Sequence, residues 1–186
     1  MRVIAGSARR LPLKAPTGLD TRPTTDRIKE TLFNMLQNDI NGCSFLDLFS
    51  GSGGIGIEAL SRGAKDAVFV ENNREALACI RDNLAFTRLS GHAVVMGEDC
   101  ISAIRKLAAQ NRSFDIIFMD PPYQAGIEYD VLGALKGTSL VHEDTIIIIE
   151  AKLETELDEA EDYGFEIYKV KEYKTNKHFF LSMMTD

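Results

Sequence analysis

The 186-residue chain has little of what builds a stapled, membrane-spanning or metal-dependent protein. Its three cysteines, Cys43, Cys79 and Cys100, are odd in number and form no C-x-x-C pair. That argues against a disulfide framework and for free buried thiols in a reducing compartment. The three histidines, His92, His142 and His178, are scattered without metal-ligand spacing, so no metal site is expected. The longest purely aliphatic run, Ile146 to Ile149, falls far short of the roughly 20 residues that cross a bilayer. Met1-Arg2-Val3-Ile4-Ala5-Gly6 meets Arg9-Arg10 before a signal core can form. A cytoplasmic location with no membrane partner is the expectation. No internal repeat or low-complexity tract is visible.

What is present is ordinary globular usage, with 45% hydrophobic and 26% charged residues. A chain this long buries about 70% of its unfolded surface and needs no covalent staple. The net charge of −7 and a pI near 5.0 argue against a general nucleic-acid coater. The charge is uneven, however. Residues 1–30 hold seven cations and three anions, net +4, which leaves −11 on residues 31–186. This divides the chain into an arm and helix, residues 1–41, and a body, residues 42–186.

Residues 1–21 carry Pro12, Pro16 and Gly18 as punctuation and predict an irregular or hairpin-like arm. Pro23 drives Arg22 into extended backbone. Thr24 is then placed to cap a helix with Asp26 in its first turn. Ile28, Leu32, Met35 and Leu36 recur at helical spacing, and the helix is expected to end near Asn41-Gly42. From Ser44, strands at about 45–49, 67–71, 93–96, 114–120 and 145–151 alternate with helices at about 54–62, 74–89, 100–110 and 126–136. Nearly all-apolar strands such as Asp115-Ile116-Ile117-Phe118-Met119 suit a sheet covered on both faces. The pattern predicts an α/β, doubly wound, Rossmann-like sheet of seven strands. The last two strands, about 165–173 and 178–184, lack a helix between them and predict an antiparallel edge hairpin. The acidic Glu154–Asp162 stretch reads as a solvated helix face or loop.

After the first strand comes Asp47-Leu48-Phe49-Ser50-Gly51-Ser52-Gly53-Gly54-Ile55-Gly56. Glycines let the backbone turn sharply and approach a ligand, and a helix N-terminus presents free N–H groups. The Gly51-x-Gly53-x-x-Gly56 spacing also fits a nicotinamide loop, with Glu71 placed 20 residues later as a ribose-binding acid. Asp47 favours another ligand. A carboxylate there suits a cation better than a diphosphate, and S-adenosylmethionine carries an ammonium and a sulfonium.

The fourth strand ends in Asp120-Pro121-Pro122-Tyr123. Ligands of open α/β sheets bind at the carboxyl ends of strands, so this tetrapeptide faces the crevice of the glycine loop. Two prolines fix where the Asp120 carboxylate and Pro121 carbonyl point. Both accept hydrogen bonds, and an exocyclic amino group has two N–H donors. Holding both donors aims the nitrogen lone pair at an electrophilic methyl group. Tyr123 is suited to stack on the base and exclude water.

Asp47, Gly51-Ser52-Gly53, Glu71, Asp99 and Asp120-Pro121-Pro122-Tyr123 together resemble class I S-adenosylmethionine-dependent methyltransferases that modify exocyclic amines. The segment Arg22-Pro23-Thr24-Thr25-Asp26-Arg27-Ile28-Lys29-Glu30-Thr31-Leu32-Phe33-Asn34 is similar to the signature helix of the bacterial 16S rRNA guanine-N2 methyltransferases, the ribosomal small-subunit methyltransferase D family. Gly6-Ser7-Ala8-Arg9-Arg10-Leu11 and Asp47 through Leu60 are similar too. Two features depart from the pattern: a less basic, less glycine-rich arm, and Lys174-Thr175-Asn176 in place of a glycine-rich turn.

The resemblance implies S-adenosylmethionine along the strand tips. Asp47 and the Gly51–Gly53 backbone would face its methionine end, with Phe49 and Ser50 in the same loop. Glu71, beside Asn72, would take the ribose hydroxyls. Asp99 and Cys100 would meet adenine. The residues also permit plainer roles: Asp47 as a local turn residue, Glu71 as a helix-cap acid, Asp99 as an N-cap. Arg9, Arg10, Lys14, Arg22, Thr24 and Arg27 are the candidate RNA contacts. The implied partner is 16S rRNA or an assembling small subunit, and a monomer is expected. Adenine N6 rivals guanine N2 as the acceptor. A protein glutamine amide, a nicotinamide-dependent oxidoreductase and a non-catalytic RNA-binding module are the remaining readings.

Overall fold

Short apolar strands alternating with amphipathic helices can bury both faces of a parallel sheet, and the chain folds this way. The computed structural model describes residues 1–16, 25–122 and 126–185. In order along the chain come α1 (Asp26–Met35), β1 (Ser44–Leu48), α2 (Gly54–Ser61), β2 (Asp66–Val70), α3 (Arg74–Thr87), β3 (Ala93–Met96), α4 (Cys100–Ala109), β4 (Ile116–Met119), α5 (Ile127–Leu135), β5 (Ile146–Lys152), β6 (Phe165–Glu172) and β7 (Asn176–Met183). The sheet order is β3-β2-β1-β4-β5-β7-β6. The first five strands are parallel, and β7 runs antiparallel to both β5 and β6. The expected seven-stranded sheet with its edge hairpin is present. The acidic stretch forms exposed turns and a short 3₁₀ segment, with only Leu157 and Ala160 tucked inward.

Alternation along β4 divides the core. Ile117 and Met119 pack with Ile104, Leu107, Leu132 and Leu135 on one face. Ile116 and Phe118 pack with Leu32, Phe33, Ile57 and Ile80 on the other. The thiols of Cys43 and Cys100 are buried and that of Cys79 is half-buried, all free.

Residues 1–16 of the arm form a hairpin, one of the two expected forms; its turn falls at Gly6–Arg10 and not at Pro12 or Pro16, and residues 17–21, with Gly18, lie outside the described residues. Val3 N–H donates to the Leu11 carbonyl at 3.0 Å and Arg10 N–H to Val3 at 2.8 Å. It docks on α2 through backbone groups. Ile4 and Ala5 N–H donate to the Glu58 carboxylate at 2.8 and 3.0 Å, and Ala8 N–H donates to Ser61 Oγ at 2.9 Å. Gly6 makes this approach possible: a Cβ there would sit 1.7 Å from the Ser61 carbonyl oxygen.

The first helix departs from expectation in three ways. Thr25, not Thr24, is its N-cap, its hydroxyl accepting from Ile28 N–H at 3.3 Å. The helix stops at Met35, six residues before the predicted end, because turns over Leu36–Ile40 take up the backbone donors. Its buried face is Lys29, Leu32, Phe33 and Leu36, while Ile28 and Met35 are only half-buried. Lys29 occupies a core position because Glu58, itself fully buried, lies 3.2 Å from its ammonium. Burial pushes the Lys29 pKa down, and Glu58 opposes that shift. The isolated sequence of the helix holds no sign of this partner.

Candidate active site

β1 ends where the glycine loop begins, and the loop is built around two carboxylates. Asp47 is 1% exposed. Its Oδ2 accepts from Gly56 N–H at 3.0 Å, and Ser50 Oγ donates to its carbonyl at 2.6 Å. Burial pushes the Asp47 carboxyl up to about 8, against the lowering effect of the Gly56 bond. Phe49, Gly51 and Gly53 turn the chain at positive φ. Adding a Cβ at Gly56 would place it 2.4 Å from the Phe69 ring, so α2 packs this closely only with glycine there.

Glu71 follows β2 and clasps the loop from the other side. Its Oε2 accepts from Gly51 N–H at 2.8 Å. Its Oε1 accepts from Asn72 and Asn73 N–H at 2.9 and 2.8 Å. A carboxylate offers about four acceptor positions, so three are already engaged and one remains, on Oε2. Asn73 caps α3, its side chain accepting from Glu75 and Ala76 N–H. Asp99 is the N-cap of α4 and accepts from Ser102 N–H at 2.9 Å, which holds its pKa down. Cys100 starts that helix with its thiol pushed up by burial. The plainer role of Asp99 as an N-cap is therefore realised, whereas the cap of α3 is Asn73 and not Glu71, whose carboxylate braces the glycine loop instead.

Asp120 lies one residue past β4, and Pro121 is buried behind it. Burial raises its carboxyl well above the usual range, and Glu150 and Asp47 push it further in the same direction. Asp47, Glu71, Asp99 and Asp120 thus gather at the carboxyl ends of β1, β2, β3 and β4. Tyr123 lies outside the described residues, as do Arg22 and Thr24.

The arm cations separate into two groups. Arg2 pairs with Asp26 at 2.9 Å, Lys14 with Asp82 at 2.8 Å, and Lys29 with Glu58. Arg9, Arg10 and Arg27 are exposed and form no ion pair among the described residues. A cavity of about 420 Å³ lies between the arm and α3, lined in part by Leu13, Lys14, Asn83 and Phe86, and Asn83 ties it to the glycine loop by donating to the Ser52 carbonyl at 3.0 Å.

Sequence reasoning passed over a second group beside Asp120. Glu150 on β5 accepts from Asn176 Nδ2 at 2.7 Å and lies 3.0 Å from His178 Nε2. His178 Nδ1 lies 3.1 Å from the Tyr173 hydroxyl. One signal was available: Glu150 follows the apolar run Ile146–Ile149 just as Asp120 follows Ile116–Met119. His178 carried none, since its partners lie across two strands.

Comparison with known proteins agrees with this geometry. The family described as Conserved hypothetical protein 95 matches residues 1–182. "Putative rRNA methyltransferase YlbH" of Bacillus subtilis is 42% identical over 160 residues, covering 86% of this chain and 87% of that protein. "Ribosomal RNA small subunit methyltransferase D" of Escherichia coli is 36% identical over 157 residues, covering 84% and 77%. The solved structure of "Putative methyltransferase yhhF" from Escherichia coli superposes with a TM-score of 0.85 at 32% identity, covering 98% and 97% of the two chains. Two carboxylates bracing a glycine turn, a third carboxylate before Pro121-Pro122 and relatives of this length and likeness converge, and the chain belongs to the Conserved hypothetical protein 95 family, that of the ribosomal RNA small subunit methyltransferase D proteins.

Proposed function

We propose that this protein transfers a methyl group from S-adenosylmethionine to the exocyclic N2 amine of a guanine in 16S rRNA. S-adenosylmethionine is the methyl donor, and rRNA methylation is the activity that the relatives' names carry. The observation that carries the reading is Asp120: a carboxylate at the tip of β4, stiffened by two prolines and level with the glycine loop.

The residues fit the donor. Asp47 offers a buried carboxyl whose ionised form a sulfonium or ammonium would favour. Glu71 keeps one acceptor position for a ribose hydroxyl, and the Asp99–Cys100 backbone lies where an adenine edge would meet it. The donor supplies an electrophilic methyl group. Asp120 and the Pro121 carbonyl accept the two N–H groups of the guanine amine and so orient its lone pair. Positioning of this kind lowers a barrier by roughly 7–11 kcal/mol. Asp120 serves as acceptor and orienter, and protons leave after the methyl arrives. Tyr123 packs on the base. Arg9, Arg10 and Arg27 hold phosphates, and the domain division follows: residues 1–41 serve RNA, residues 42–186 the chemistry. Arg22 and Thr24 belong to the same RNA-facing segment.

Cofactor class is tested by melting the protein with S-adenosylhomocysteine and with NAD. A ligand that binds only the folded state raises the melting temperature. S-adenosylhomocysteine is expected to raise it and NAD to leave it unchanged. The reverse result would favour the oxidoreductase reading of the same glycine loop.

A further inference from the structure

A row of ionisable groups crosses the sheet beside Asp120. Met119 pairs with Ile149 in the β4–β5 register, so Asp120, just past β4, is level with Glu150 on the adjacent β5. Glu150 pairs in turn with His178 on β7. By alternation these residues continue the face that carries Phe118, Ile148 and Phe180. His178 is fully buried, its ring edge-on to Phe118 and Tyr173 with centroids 6.1 and 5.0 Å away. The Glu150 side chain is 11% exposed. The carboxylate is acceptor-only, so His178 Nε2 donates to it, and Nδ1 shares a hydrogen with the Tyr173 hydroxyl. Such a clasp, with both ring nitrogens of the buried His178 engaged, fixes where the Glu150 charge sits.

We propose that Glu150, held by His178 and Tyr173, is a positioning residue that controls the charge on Asp120 and with it the pH range of methyl transfer. This rests on the reading of Asp120 as the amine acceptor. In the transfer, the nitrogen lone pair forms the new N–C bond while the C–S bond breaks and sulfur keeps its electron pair. The nitrogen is left positive and loses one proton. An ionised Asp120 orients the amine and can take that proton before solvent does. Two carboxylates bear on it, Glu150 from β5 and Asp47 from β1, and both oppose its ionisation. Glu150 in turn faces His178 and Asn176 on β7, and Tyr173 carries the Lys171 ammonium 6.0 Å from its ring centre. Asp47 stays with the glycine loop, so Glu150 is the neighbour that can be altered without touching cofactor contacts.

The test is the pH profile of kcat for Glu150→Gln and Glu150→Asp, with S-adenosylhomocysteine affinity measured on each. Removing the charge in Glu150→Gln is expected to move the acid limb to lower pH by about one unit, with affinity unchanged. Glu150→Asp draws the charge back by one methylene and shifts the limb the same way by less, so it carries the test if the amide variant does not fold. A purely structural role would lower kcat or melting temperature without moving the limb. Limbs at the wild-type pH in folded variants overturn the inference while leaving the function intact. A wild-type protein that transfers no methyl group overturns both.

Discussion

Asp47, buried, and Asp120, half-buried, are carboxylic acids at neighbouring strand tips, and their environments give them different tests. Burial holds the folded-state pKa of Asp47, about 8, far above the ordinary aspartate value of about 3.9. The folded state therefore binds the proton more tightly, and this group's contribution to stability falls as pH rises between those values. Asp47→Asn keeps an acceptor for Gly56 N–H and removes the titration. In urea unfolding, the stability difference between the variant and the wild type is expected to move in the variant's favour from pH 5 to pH 8, by up to about 4 kcal/mol. A pH-independent difference would contradict the burial argument. Asp120 and Glu71 separate turnover from affinity. Asp120→Ala is expected to lose about 100-fold or more in kcat with S-adenosylhomocysteine affinity retained in calorimetry. Glu71→Ala removes charge-assisted bonds worth about 1.5–3 kcal/mol and is expected to weaken that affinity roughly 10- to 100-fold. Undiminished turnover in the first, or an unchanged dissociation constant in the second, would refute the assigned role.

The arm hairpin depends on one glycine at the scale of the element. Gly6 has φ of 84° and lies against the Ser61 carbonyl. Gly6→Ala is expected to cost about 2 kcal/mol or more and to lift the arm from α2. Trypsin would report it, since Arg9 and Arg10 would be cut faster in the variant; wild-type cleavage rates would contradict the docking. The elements themselves were legible in the sequence. Strands buried on both faces must be short apolar runs, and Asp99 announces the helix that follows it, whereas the cap of α3 fell to Asn73 and not to Glu71. The orientation of α1 was not legible, because Lys29 becomes a core residue only through Glu58, on another helix. Glu58 stood in the apolar run Gly54–Leu60 as the sole clue. In the same way Asp47, Glu71, Asp99 and Asp120 could be placed at strand tips from sequence, whereas Glu150 and His178 meet through strand order. That order, β5-β7-β6, arises from an edge hairpin whose partner strand the sequence does not name.

Over the whole molecule, the contrast between a +4 segment and a −11 body is sharpened by pairing. Three of the seven cations in residues 1–30 are matched to Asp26, Asp82 and Glu58. The exposed remainder among the described residues is Arg9, Arg10 and Arg27. On the proposed reading, so few unpaired cations predict a modest salt dependence and binding restricted to a shaped RNA. Replacing Arg9 and Arg10 by Glu is expected to weaken rRNA binding and to lower the slope of log affinity against log salt by about 1–2. S-adenosylhomocysteine affinity should be unchanged. A preserved slope would place the RNA elsewhere on the surface.

The most direct measurement incubates the protein with isotope-labelled S-adenosylmethionine and 16S rRNA, free and within small subunits, then digests the RNA and identifies the labelled nucleoside by mass spectrometry. The expected product is N2-methylguanosine, formed by the wild type and absent with Asp120→Ala. Label in N6-methyladenosine, in protein, or in no product at all would contradict guanine N2 as the acceptor.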